Sequence, residues 1–196
     1  MKTEFNEGAV SLAKGPVETI VNFEALCRLD SADSRSLFDY ADALRLVGRR
    51  KEARQVYKLL EEAKIPVDRR WVVPLFHGQT LFDVGLFVDA EQFFRIAAKL
   101  NPDTTVPCVY LAAALASQER FEDAVNVLQE AIHLLGDRDE VLLNLGLNLR
   151  ALGRLNEAAD YLQQSLSLSP QCEEAIEAFD DVKRALECKR IAEVNA

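Results

Sequence analysis

Four alanines recur along the chain at nearly constant intervals, and each precedes a bulky apolar residue by four positions. The intervals between them are 37, 34 and 34 residues. Around each alanine, apolar residues recur at spacings of three and four, which place them on one face of a helix. The period therefore predicts an array of repeats with two helices each. The alanines and their apolar followers are Ala53 and Tyr57, Ala90 and Phe94, Ala124 and Leu128, and Ala158 and Leu162.

The clearest unit runs from Asp139 to Cys172. Gly153 lies where the first helix must end and the chain must reverse, a position that favours a residue without a penalty for positive φ. Pro170 ends the second helix because it cannot continue the backbone hydrogen bonds. Small residues in each helix let the pair approach closely. The residues that encode this pair are Leu142, Leu145, Gly146, Leu149, Leu155, Ala158, Leu162 and Leu166.

This unit resembles the tetratricopeptide repeat, which has a small residue, an alanine, a bulky apolar residue and a closing proline at fixed places. Residues 71–104 and 105–138 match in the same phase, the latter with Gly136 in place of the proline, and 34–67 form a fourth unit. The resemblance implies an all-α fold, a right-handed superhelical solenoid of antiparallel helix pairs. Three extra residues between Pro66 and Arg70 predict an irregular connection there.

The ends of the array are predicted from the same phase. Residues 1–15 are expected to be a mobile N-terminus, and residues 16–33 an N-terminal capping helix equivalent to half a repeat. Residues 173–196 are expected to form a solvating C-terminal helix, since the last unit of a repeat array otherwise exposes an apolar face.

In tetratricopeptide proteins the first helices of successive repeats line a concave groove. The structural positions of the repeat are already filled by other apolar residues, so we expect the surplus ones to be exposed and to bind a peptide or helix with apolar anchors. Residues 1–15 or a second copy of the chain are alternative occupants. The resemblance assigns these residues to the groove: Phe38, Val72, Leu75, Phe76, Gln79, Phe82, Val106, Val109, Tyr110, Leu143, Asn144 and Leu147.

Some tetratricopeptide proteins bind the C-terminal carboxylates of chaperones through a clamp of Lys, Asn and Arg side chains. Neither set of corresponding positions supplies the required cations, so the sequence predicts that the chain is not a receptor of this kind. The two sets are Phe38, Asp42, Phe76, Val106 and Tyr110, and Leu75, Gln79, Tyr110, Glu140 and Asn144.

The sequence does not favour an enzyme, a cofactor or a metal site. His77 lies at a packing position and is interpreted as a core histidine, whereas His133 is predicted in the last turn of a second helix, where a cation favours the helix dipole. No nucleophile with a paired base and no glycine-rich phosphate loop is present. The four cysteines show no CxxC spacing and are expected to be reduced thiols.

Charge and hydropathy limit the partners. The net charge of −9 argues against nucleic acid, which is bound through clustered Lys and Arg. Residues 45–70 are instead positively charged, with nine basic and four acidic side chains. They are interpreted either as a solvated face or as a binding site for an acidic segment. No stretch reaches the roughly 20 apolar residues that span a bilayer, and a cytoplasmic protein is expected.

Three functions are compatible with these observations. The first is an adaptor or scaffold that binds an apolar protein segment in the groove. The second is a small acidic chaperone for secreted apolar proteins, because the chain is similar in organisation to the class II chaperones of type III secretion. The third is a structural homo-oligomer, of which a homodimer is the simplest form.

Overall fold

The computed structural model describes residues 15–17, 19–21, 34–62 and 70–194. Nine helices are described, and they fall into two compact units, residues 1–100 and 101–196. The first unit contains α1 (Ser34–Leu46), α2 (Arg50–Glu62), α3 (Val72–Phe82) and α4 (Phe87–Leu100). The second contains α5 (Val106–Ala116), α6 (Phe121–Ala131), α7 (Arg138–Ala151), α8 (Leu155–Leu168) and α9 (Glu173–Val194).

The predicted all-α fold of paired helices is confirmed. Each first helix contacts the second helix that follows it across a short turn, so α1–α2, α3–α4, α5–α6 and α7–α8 form antiparallel pairs. The expectations for residues 1–14, for Glu18 and 22–33 of the capping segment, and for the connection at 63–69 lie outside the described residues.

All four pairs reverse through the same turn. One residue adopts a positive φ, and the N–H of the next residue donates to the carbonyl five positions earlier, as in the common helix C-terminal motif. Gly153 therefore has the predicted role, with a φ of 73°. The equivalent residues are Gly48, Gly85 and Glu119, and the hydrogen bonds join Arg49 to Leu44, Leu86 to Leu81, Arg120 to Leu115 and Arg154 to Leu149 over 2.8–3.0 Å.

Close packing within pairs explains the small residues in the first helices. A Cβ on Gly146 would collide with the side chain of Leu162 and would lie 3.3 Å from the carbonyl oxygen of Ala158. A Cβ on Gly78 would come within 2.8 Å of Phe94 Cδ1. A side chain at either glycine would therefore push its two helices apart, as the sequence predicted for Gly146.

The first unit has a core formed by α1, α2 and the start of α3. Its buried residues include Leu44, Tyr57 and Leu60, which are fully shielded from solvent. Ile20, from the helical residues described at 19–21, is buried in the same cluster. The described part of the predicted capping segment therefore contributes a core residue.

In the second unit, α6 is shorter than predicted. It ends at Ala131, so His133 follows the helix and does not lie in its last turn. Beyond the helix, two backbone hydrogen bonds join this loop to the loop before α5. Leu135 N–H donates to the Asp103 carbonyl and Thr105 N–H donates to the Leu135 carbonyl, both at 2.9 Å. Gly136 has a φ of 130° and sits so close to the Thr105 hydroxyl that a side chain would clash.

The last helix, α9, packs on both helices of the preceding pair. Ala175, Ala178 and Val182 are buried in this contact. The ammonium of Lys183 lies 4.3 Å from the centre of the Phe179 ring and pairs with Asp180 at 3.1 Å. Lys183 thus partly covers the ring of Phe179, and the solvating role of this helix stays a prediction.

Candidate binding faces of the first helices

First helices lie side by side within each unit. In the first unit α1 contacts α3, and in the second α5 contacts α7, which contacts α9. Each first helix also contacts the second helix of its own pair, and α3 and α7 contact the second helix of the pair before. Only a narrow strip of each first helix therefore remains open, and these strips are the candidate binding faces.

The expectation that the groove residues are surplus and exposed is wrong for four of them. Leu75, Gln79, Val109 and Leu143 are only 4%, 9%, 7% and 7% exposed. Helices α3 and α5 are apolar around most of their circumference, as expected of helices with neighbours on several sides. These residues are buried and form at most the floor of a face.

In the first unit, the predicted aromatic residues contact one another. The rings of Phe38 and Phe76 meet edge to face, with centroids 5.2 Å apart, and both pack on the core. The guanidinium of Arg45 lies 5.4 Å from the centre of the Phe76 ring and donates two hydrogen bonds to Asp42 Oδ1, at 2.9 and 3.0 Å. This cation is therefore already paired with a carboxylate of its own helix.

The remaining predicted residues of the first unit are half-buried. Phe82 packs edge to face on Phe87, with centroids 5.1 Å apart. Val72 lies in the first turn of α3 and is also half-buried. The half-buried aromatic residues of this unit are therefore packed against other aromatic rings.

In the second unit, the open strip of α5 and α7 is apolar with one amide. Tyr110 is 37% exposed, and Val106, Asn144 and Leu147 are half-buried. Asn144 Nδ2 donates to the Glu140 carbonyl at 2.9 Å, so its side chain is tied to its own helix. Tyr110 and Leu147 are the largest apolar groups that this strip offers to a ligand.

Carboxylates lie at one end of the strip between α7 and α9. Burial raises the pKa of Glu140, and the nearby charges of Asp137, Asp139 and Glu174 raise it further. Glu174 belongs to α9, so the two neighbouring first helices bring their acidic side chains together. The repeat placed Glu140 at one of the groove positions that correspond to the chaperone clamp. Glu174 was not predicted, because groove positions were assigned only within the four repeats and not in the last helix.

At the opposite end of the same strip a carboxylate is paired with cations. Arg150 of α7 pairs with Asp181 of α9 at 3.0 Å, and Arg184 also pairs with Asp181. Glu174 and Asp181 are seven residues apart on α9 and share one helix face. The Arg150–Asp181 ion pair, together with the effect of Glu174 on the pKa of Glu140, indicates that this face of α9 runs beside α7.

The two histidines lie in different surroundings, one buried and one at the surface. His77 is buried between Tyr57 and Phe93, with ring centroids 5.9 and 4.1 Å away, so its interpretation as a core histidine is confirmed. His133 borders an open hollow of about 590 Å³ between α6 and α8, together with Glu157 and Tyr161. There Glu157 is held by Arg154 at 2.6 Å.

Other site classes find no support in the part of the chain that the structure describes. Cys108, Cys172 and Cys188 are free thiols, and burial raises the pKa of Cys108. No group of three or more potential metal ligands occurs among the described residues. Within residues 34–62 and 70–194, none of the helices combines the length and apolar character needed to cross a membrane.

Comparisons with known proteins place the fold. The family model of the tetratricopeptide repeat matches residues 139–172, and no curated protein matches the chain. MamA from Desulfovibrio magneticus RS-1 is similar in structure, with a TM-score of 0.72 and 17% identity over 86% of this chain and 94% of that one.

Two similar structures contain bound peptides. The second TPR domain of human RPAP3, in complex with an HSP70 peptide, has a TM-score of 0.57 and 20% identity, over 60% of this chain and 98% of that one. The first TPR of Spaghetti (RPAP3), bound to an HSP90 peptide, has a TM-score of 0.58 and 22% identity, over 61% and 94%. The chain carries a tetratricopeptide repeat at residues 139–172 and has the fold of tetratricopeptide-repeat proteins.

Proposed function

We propose that the chain is a non-enzymatic protein-interaction module that binds a peptide or helix of another protein on the open strips of its first helices. The observation that carries this proposal is the partly exposed apolar strip of α5 and α7, with Tyr110 and Leu147 as its largest groups. The two RPAP3 structures support it because they are proteins of the same fold with a bound peptide.

The residues assigned to the groove divide into two proposed roles. Those that are nearly buried, such as Leu75 and Val109, support the face from below. The partly exposed ones are proposed to contact the partner. These are Phe38, Val72, Phe76 and Phe82 in the first unit, and Val106, Tyr110, Asn144 and Leu147 in the second.

The chemistry of the strips does not favour the ligands of the two neighbours. Their peptides, SGPTIEEVD and SRMEEVD, end in acidic residues. In this chain the cations on the inner side of the first helices are already paired: Arg45 with Asp42, and Arg150 with Asp181. We therefore propose that the partner is an apolar segment and not an acidic chaperone tail.

The test is the loss of partners from a face variant. Charges at Leu75 or Val109 would unfold the chain, because both are buried. Tyr110→Ala with Leu147→Ala removes the exposed groups instead. The matched control is Leu135→Ala with Leu168→Ala, since both are exposed leucines of the same unit outside the first helices.

Affinity capture from native lysate with crosslink mapping is the measurement. We expect the face variant to lose about tenfold or more of its specific partner, because a few anchor side chains dominate binding at interfaces. The control variant should retain it, and both should keep the helical circular dichroism of the native chain. Recovery of the same partners in the same amounts by the face variant would refute the proposal.

The two alternative functions keep their own tests. A chaperone for secreted apolar proteins requires that co-expression raise the solubility of a membrane-inserting client, and no gain would count against it. A homo-oligomer or homodimer requires a mass that rises with concentration in light scattering. The cytoplasmic location remains a prediction that fractionation of cells would check.

A further inference from the structure

We infer that the segment bound by the second unit is basic as well as apolar: its apolar side chains contact α5 and α7, and its Lys or Arg side chains lie against the carboxylates between α7 and α9. This inference rests on the proposed function and names the chemistry of the partner. It follows from where the charge of the chain lies and from which charges are already paired.

The whole net charge of the chain belongs to the second unit. Residues 101–196 contain 8 basic and 17 acidic side chains, whereas residues 1–100 contain 15 of each. Most cations of the second unit are also paired with its own carboxylates, and few remain to balance the excess. The paired cations are Arg120, Arg150, Arg154, Lys183, Arg184 and Arg190.

Part of the excess negative charge lies beside the apolar strip. Glu140 and Glu174 take part in none of the ion pairs among the described residues. The Glu140 side chain is exposed, but its partial desolvation and the surrounding carboxylates raise its pKa and so disfavour its charged form. A cation placed there would be attracted by several carboxylates and would relieve their mutual repulsion.

The face thus changes from apolar to acidic across three adjacent helices. Helix α5 presents Val106 and Tyr110, α7 presents Leu147 and Glu140, and α9 presents Glu174. Three packed helices span roughly 20–25 Å, which matches a helical segment of about 15 residues. An amphipathic helix with an apolar side and a cationic edge is complementary to this pattern.

Three synthetic peptides of about 15 residues serve as probes, sized to this span. They share leucines at helical spacing and differ only in carrying Lys, Gln or Glu elsewhere. Their affinity for the full chain is measured by fluorescence anisotropy. The test variant is Glu140→Gln with Glu174→Gln. The control is Glu130→Gln with Glu193→Gln, which removes the same charge from exposed sites on α6 and at the end of α9.

We expect the Lys peptide to bind about tenfold more tightly than the Gln peptide, and the Glu peptide to bind most weakly. The test variant should lose most of this preference, and the control about twofold or less. Equal loss in both variants would show a general charge effect and overturn the inference.

Failure of the charge inference and failure of the proposed function give different results. Equal binding of the Lys and Gln peptides, abolished by Tyr110→Ala with Leu147→Ala, would overturn the inference and leave the interaction module standing. Binding of none of the three peptides also overturns the inference. The capture experiment above then decides the proposed function by itself.

Discussion

At the scale of single residues, Glu119 breaks the rule followed by the other three turns. It adopts a φ of 61°, whereas Gly48, Gly85 and Gly153 fill the equivalent positions. A left-handed conformation costs a residue with a Cβ about 1–2 kcal/mol, and part of this is offset by the greater flexibility of glycine in the unfolded chain. Glu119 lies 34 residues after Gly85, so the repeat period identifies it as the equivalent position. Only the structure shows that it also adopts a positive φ.

Glu119→Gly is therefore expected to stabilise the chain by about 0.5–1 kcal/mol. Gly153→Ala, the reverse change at the equivalent turn, should destabilise it by a similar amount. Urea unfolding of both variants and the native chain provides the measurement. A lower midpoint for Glu119→Gly would show that its side chain, not its backbone, matters at this turn.

Glu140 makes stability depend on pH. Burial, and then the charges of Asp137, Asp139 and Glu174, raise its pKa in the folded state. The folded chain binds this proton more tightly than the unfolded chain, so stability falls as the pH rises from the unfolded value of 4.5 through the folded pKa. Above this window the ionised carboxylate is a net cost.

Glu140→Gln is consequently expected to raise the melting temperature at neutral pH and to lose this advantage under acidic conditions. The gain should be at most about 2 °C, because exposed substitutions change stability by about 0.5 kcal/mol or less. Thermal unfolding across pH 3–8, with Glu130→Gln as the control, measures it. A gain that is the same at every pH would contradict this origin.

At the scale of elements, the two halves of α9 have different roles. Ala175, Ala178 and Val182 are buried against the preceding pair, whereas residues 187–194 are exposed. Deletion of 187–196 should change the free energy of unfolding by less than about 0.5 kcal/mol. Deletion of 173–196 should cost about 2–4 kcal/mol, since it exposes three buried side chains and the surface beneath them. Denaturant unfolding distinguishes the two, and equal losses would refute this division.

Helix pairs could be predicted from the sequence because their causes are local. Each sequence signal depends on contacts or backbone geometry within one pair. The structure confirms these signals, which are the alanine period, the turn at Gly153 and the close approach at Gly146. Exposure could not be predicted in the same way. Leu75 and Val109 are buried because first helices have neighbours from other pairs, and a pattern within one repeat does not report how many neighbours a helix has.

At the scale of the whole molecule, charge is distributed unevenly between the two units. The net charge of −9 argues against nucleic acid, and the boundary at residue 100 assigns all of it to the second unit. The sequence contains these charges, but it does not show which are paired. Arg150 pairs with Asp181 and Arg154 with Glu157, and Glu140 and Glu174 form no ion pair among the described residues.

Uncompensated carboxylates repel one another, and salt screens this repulsion within a Debye length of about 10 Å at 0.1 M. Raising NaCl from about 0.02 M to about 0.5 M should therefore increase the melting temperature of the second unit, because the folded state concentrates the charge. The neutral first unit should respond less. Differential scanning calorimetry of the full chain, with hydrogen exchange to assign each transition, measures both units. An equal increase in both units would contradict this origin. Destabilisation of the second unit would mean that salt weakens its ion pairs more than it relieves the repulsion of its excess charge.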